Sequence, residues 1–103
     1  SSRMKLFDQI LEIVTFIPRG KVTTYGTIAN KLSISNPKIV GYALHSNKQP
    51  NVIPCHRVVN KMGKLAKGYA FGGIEIQKQL LEQEGVVFLD EKTVDLEKFL
   101  YTF

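Results

Sequence analysis

The chain has 103 residues, 44% of them hydrophobic and 22% charged, with a formal net charge of +5. That length suits one folded domain and is too short for two independent cores, and the composition is that of a folded chain rather than a disordered one. No apolar run approaches the roughly 20 residues that span a bilayer, no signal peptide is legible at the N-terminus, and a single cysteine, Cys55, excludes an internal disulfide and a four-cysteine zinc site.

Phe7, Ile10, Leu11 and Val14 recur at helical spacing, which predicts an amphipathic helix over about residues 4–16. Pro18 and Gly20 end it. A threonine of Thr23-Thr24 can cap a second helix that carries Ile28, Ala29 and Leu32. Asn36 is suited to an N-cap and Pro37 to the first turn of a third helix with Val40, Ala43 and Leu44. Two short helices joined by a polar turn, over about 24–44, read as a helix-turn-helix; geometry alone favours any αα-hairpin, and the basic composition narrows that gap. Residues 45–51 are a polar loop. Val52 to Val59 is apolar at both ends, with Pro54, Cys55, His56 and Arg57 at its centre. It predicts a buried lead-in, a bend and a buried exit, since Pro54 cannot sit in a regular central strand. A loop over 60–73 precedes a helix over 74–84, with Ile76, Leu80 and Leu81 on one side and Gly85 as its cap. Val86–Leu89 is a strand candidate, and Val94, Leu96, Phe99 and Leu100 pack back as a helical turn or two.

Charge is unevenly placed. Residues 1–70 hold eleven Lys or Arg against Asp8 and Glu12, a balance of +9, and residues 71–103 balance at −4. The first two thirds therefore suit a polyanion, or simply a soluble basic surface. A lone cysteine in an apolar frame is more often an inert core residue. The neighbours argue otherwise, because an imidazole or a cation lowers a thiol's pKa and makes it a nucleophile. His56 as a base needs a carboxylate on its other nitrogen, which Glu82 or Glu84 can supply. With His45 and His56 as the only partners for Cys55, a metal site is not expected, and a reducing compartment is.

These residues also carry a resemblance. Ile53-Pro54-Cys55-His56-Arg57-Val58-Val59 resembles the active-site signature of the O6-alkylguanine-DNA alkyltransferases. Thr24-Tyr25-Gly26-x-Ile28-Ala29 resembles that family's first helix-turn-helix segment, and Asn36 to Leu44 its recognition helix. Asn47 matches a hinge asparagine, Gly68-Tyr69 with Gly72-Gly73 the loop over the alkyl pocket, and Leu80-Leu81-x-x-Glu84-Gly85 the late helix with its glutamate. The resemblance implies a mainly α domain over 1–103 with a small β component and a winged-helix-like helix-turn-helix. It implies stoichiometric transfer of an alkyl group from O6-alkylguanine in double-stranded DNA to Cys55, after the base is flipped out of the duplex. His56 would deprotonate Cys55 through a water, Glu84 would orient His56, Tyr25 would hydrogen-bond the departing guanine, and Asn47 would brace the turn. Lys38, Tyr25, Thr24, Lys31, Gly41 and Arg57 would face DNA, with the recognition helix in the minor groove. Pro54, Val59, Tyr69 and Ala70 would form the substrate pocket. It implies no cofactor, a monomer, and residence in the cytoplasm, or the nucleus of a eukaryote.

Three departures stand out. The family usually carries an N-terminal domain before this one. The shorter form resembles the alkyltransferase-like proteins, which bind alkylated DNA and flag it for excision repair without an acceptor cysteine, whereas this chain keeps Cys55. The recognition-helix arginine is replaced by Lys38, which has the charge without the planar fork. Phe71 is an insertion in the pocket loop that would alter pocket size. A helix-turn-helix transcription regulator would explain the basic front half but not the Pro-Cys-His-Arg frame. A Cys-His hydrolase would need a cleft and oxyanion donors that the sequence does not reveal.

Overall fold

A computed structural model describes residues 2–65 and 68–103. Its elements are α1 (Ser2–Val14), β1 (Thr23–Thr24), α2 (Tyr25–Lys31), α3 (Lys38–His45), a single 3-10 turn (Cys55–Arg57), β2 (Val58–Val59), α4 (Gly73–Gln83), β3 (Phe88–Asp90), β4 (Thr93–Val94) and α5 (Leu96–Phe99). The fold is mainly helical, with two small two-stranded sheets. Within the expected 60–73 loop, residues 66 and 67 lie outside the described residues.

The local signals act as their chemistry requires. Thr24 has extended backbone angles and accepts the Thr27 N–H at 3.0 Å, so it caps α2. Asn36 Oδ1 accepts the Lys38 N–H at 3.1 Å, and Pro37 already holds helical angles ahead of α3. Gly85, at φ 90°, ends α4 in the left-handed region that glycine enters without strain.

Two apolar clusters meet at β2. Ile10, Ile13, Val14 and Ile17 of the α1 region pack on Ile28, Ala29, Val40, Ala43 and Leu44 of α2 and α3, with Cys55 and Val58. Val22, Val59, Leu65, Leu81, Val86 and Val94 form the second cluster. Successive strand residues face opposite ways, so Val58 joins the first cluster and Val59 the second. The parallel pairing of β1 with β2, Thr23 opposite Val58 and Thr24 opposite Val59, ties the cap of α2 to the strand that leaves the thiol turn.

Three expectations are corrected. Helix α1 runs from residue 2 to 14, not 4 to 16. The lead-in to the thiol is not buried at Val52, which is 64% exposed; full burial begins at Pro54. On α4 the buried face is Gln77 and Leu81, with Ile74 packed against the second cluster. Ile76 is exposed, and it lines an outer groove with Leu80.

Candidate active site

Cys55 opens the 3-10 turn immediately after Pro54 and is buried. Two amide side chains from different parts of the chain hold this turn. Asn47 follows α3 and is itself buried. Its Nδ2 donates to the Ile53 carbonyl at 3.0 Å and lies 3.4 Å from Cys55 Sγ, while its Oδ1 accepts the Gln49 N–H at 2.8 Å. From α4, Gln77 Nε2 donates to the carbonyls of His56 at 3.0 Å and Val58 at 3.2 Å. Gln77 was not anticipated. The signal available for it was one amide on an otherwise apolar helix face.

Behind the thiol lies a charged cluster centred on Glu84, at the C-terminal cap of α4. Its carboxylate accepts from His56 Nε2 at 2.7 Å, from Arg57 Nε and Nη2 at 2.9 Å each, and from the Gly20 backbone at 3.0 Å. Arg57 Nη1 also donates to the Ile17 carbonyl at 2.8 Å, and Arg19 to the Gln83 carbonyl at 3.0 Å. Gly20, at φ 86°, permits this approach, since a Cβ there would lie 3.1 Å from the Glu84 carbonyl. Burial opposes the charge on Glu84, but Arg57, the Gly20 amide and His56 together hold its pKa down to about 2. Burial lowers the pKa of His56, against the pull of Glu84. A neutral imidazole facing a carboxylate puts its proton on Nε2 and leaves Nδ1 as a free acceptor. Burial raises the Cys55 thiol, against the Asn47 hydrogen bond, so the resting sulfur is a protonated thiol.

A cavity of about 50 Å³ lies over the sulfur, lined by Tyr25, Gly41, Leu44, His45, Cys55, Val58, Gly68, Tyr69, Ala70 and Gln77. Burial, with a further contribution from Cys55, raises both phenols, Tyr69 to about 12 and Tyr25 in the same direction. Both therefore keep their protons as hydrogen-bond donors. The arrangement offers a shielded thiol, a neutral imidazole on a fixed carboxylate, and two phenolic donors lining the cavity.

The sequence pattern of the 6-O-methylguanine DNA methyltransferase DNA-binding domain matches residues 5–86. The chain belongs to that family. It is 44% identical over 78 residues to the methylated-DNA–protein-cysteine methyltransferase of Methanothermobacter thermautotrophicus, covering 76% of this chain and 43% of the relative. The chain thus spans less than half the length of that curated relative. Among solved structures it is similar to S. pombe Atl1 in complex with damaged DNA containing O6-carboxymethylguanine, with a TM-score of 0.85, 30% identity and 97% of both chains covered. Mycobacterium tuberculosis O6-methylguanine methyltransferase matches at a TM-score of 0.68 and 32% identity, covering 77% of this chain and 47% of that one.

In this alkyltransferase-family chain Cys55, Tyr25, Gly41, Tyr69 and Ala70 surround the cavity, while Asn47, His56 and Glu84 stand behind it. Lys38 is exposed at the start of α3, beside Tyr25 and Gly41 in an outer groove, and Lys31 is exposed at the end of α2. Four expectations are corrected. The Arg57 guanidinium is turned inward, where Glu84 and the Ile17 carbonyl take it up. Thr24 is buried, and its hydroxyl is engaged by Thr27 in the α2 cap. At Val59 only the backbone is left to the pocket: its side chain packs in the second cluster, and Val58 lines the cavity. Pro54 lines the outer groove that holds His56 rather than the thiol cavity. Phe71 stays out of the cavity too; its ring meets Tyr69 edge-on, with centroids 5.8 Å apart.

Proposed function

We propose that this protein repairs DNA by accepting the alkyl group of an O6-alkylguanine on Cys55. The observation that carries the reading is a lone thiol in a cavity between Tyr25 and Tyr69, backed by the His56–Glu84 pair at 2.7 Å. The basic first two thirds of the chain binds duplex DNA, and the damaged base enters beside α3. His56 Nδ1 takes the thiol proton through a water. The thiolate attacks the alkyl carbon, so a C–S bond forms as the C–O6 bond breaks and the electron pair passes to the guanine ring. Tyr25 O–H donates a hydrogen bond to the charge that develops there. The thioether is stable, so each molecule acts once. The protein acts as a monomer, in the cytoplasm or, in a eukaryote, the nucleus.

One observation favours a second reading. The match to S. pombe Atl1 spans 97% of both chains, and that shape suits a protein that binds the lesion and hands it to excision-repair partners. Incubation with an O6-methylguanine duplex separates the two by mass spectrometry. Alkyl transfer adds one methyl group at Cys55 and none in Cys55→Ser, which still binds the lesion. Tight lesion binding with an unmodified Cys55 would establish the second reading instead.

A further inference from the structure

The geometry points to Tyr42 as a second DNA-contacting residue, the stacking partner of Lys38 in the gap left by the flipped base. This rests on the proposed reading that a damaged base is turned out beside α3. Lys38 and Tyr42 are four residues apart on α3, so they share one face of the helix. With Pro37, Gly41, His45 and Tyr25 they line a groove of about 350 Å³. Tyr25, Gly41 and His45 also line the thiol cavity, so the groove is its antechamber. Any nucleotide that reaches Cys55 along α3 leaves its empty place in the stack against this face.

That empty place is a slot between two flat base faces. Lys38 brings charge to it but no planar surface. Tyr42 brings the ring. It is 53% exposed, and no protein group hydrogen-bonds its hydroxyl among the described residues. Phe16, Met62, Val87 and Leu89 are also exposed apolar side chains, but none of them lines the cavity or its antechamber. Architectural DNA-binding proteins hold opened base steps with apolar wedges, and aromatic stacking on a base tolerates any sequence. A repair protein that must act in every context needs a filler with that tolerance.

The test is equilibrium binding to an O6-methylguanine duplex and to its undamaged counterpart at several salt concentrations. Tyr42→Ala should weaken lesion binding about 5- to 100-fold, the range of one lost base stack. It should change undamaged binding by about twofold at most and leave the salt slope unaltered. Lys38→Ala should lower the slope by about one. Tyr42→Phe should bind within about twofold of the parent, because the ring and not the hydroxyl does the stacking. The chain has no tryptophan, so Tyr42→Trp installs a unique fluorophore that should be quenched more by the lesion duplex than by the undamaged one. Lesion binding by Tyr42→Ala within about twofold of the parent, or an equal loss on both duplexes, overturns the inference while the repair reading stands. A parent with no preference for the lesion duplex would sink both.

Discussion

Replacing Glu84 with Gln keeps the shape of the side chain and removes its charge. The carboxylate receives only donors: the Gly20 amide, His56 Nε2, and Arg57 Nε and Nη2. An amide has one accepting oxygen and turns an NH2 toward the rest. The side chains of Glu84 and Arg57 are 5% and 15% exposed, which puts the pair near the buried limit. There, losing one partner costs about 3–5 kcal/mol, against about 0–1 for an exposed pair. The depression of Glu84 from an ordinary 4.5 to about 2 corresponds to about 3 kcal/mol, an upper figure for this variant because the amide oxygen of Gln still accepts from one of the donors. We therefore expect Glu84→Gln to lose about 2–3 kcal/mol at pH 7, lowering Tm by about 8–24 °C for a chain of this size. Urea titration should show a lower midpoint at unchanged slope. The folded pKa lies below the unfolded one, so Glu84 stabilises fully above about 4.5 and its contribution fades as pH falls through about 2. The gap between parent and variant should accordingly narrow over that window. A loss under about 1 kcal/mol, or a gap that stays constant from pH 7 to pH 2, would refute the buried-hub argument.

Tyr25→Phe should slow single-turnover transfer about 10²- to 10³-fold while lesion affinity stays within about threefold, the signature of a donor that acts on developing charge; equal losses in both would make Tyr25 a binding residue only. Gln77→Leu leaves the His56 and Val58 carbonyls without their side-chain donor and should cost about 1–3 kcal/mol in denaturant titration, with slower transfer because the turn beneath Cys55 loosens. The pH–rate profile should keep its plateau to below pH 6.5, because burial lowers His56 from that ordinary value, and should fall on the acid side as the imidazole takes up a proton. An acid limb above pH 6.5 would remove His56 from the base role.

Local chemistry was legible and long-range chemistry was not. The α2 cap at Thr24, the break at Pro18 and Gly20, and the glycine after α4 follow from residues within a turn of one another. The apolar spacing of Ile10 and Val14 was enough to place α1, if not its ends. On α4, apolar residues at 74, 76, 80 and 81 support two different stripes. The choice between them rests with Gln77, whose amide is bound by carbonyls 19 and 21 residues away. Arg57 looks like any basic residue on a DNA-binding chain until Glu84 and the Ile17 carbonyl are folded around it. Strands β1 and β2, of two residues each, are too short to show alternation. The cysteine, its histidine and the glutamate were identifiable as types and by resemblance; that Asn47 and Gln77 both grip the turn was visible only in three dimensions.

The contacts that ready the thiol also fix when, in folding, it becomes ready. His56 meets Glu84 across 28 residues, Arg57 meets Ile17 across 40, and Gly20 meets Glu84 across 64. The bond from Asn47 to the Ile53 carbonyl, by contrast, spans six residues. Closing long loops costs entropy before it returns any contact, and non-local pairings form late on that account. The Asn47 brace can therefore close in a chain whose cysteine still lacks its His56–Glu84 pair and its Gln77 brace. A molecule emerging from synthesis or recovering from stress would hold a thiol without its histidine–glutamate pair until its last long-range contacts close, and the proposed transfer would wait for the finished fold.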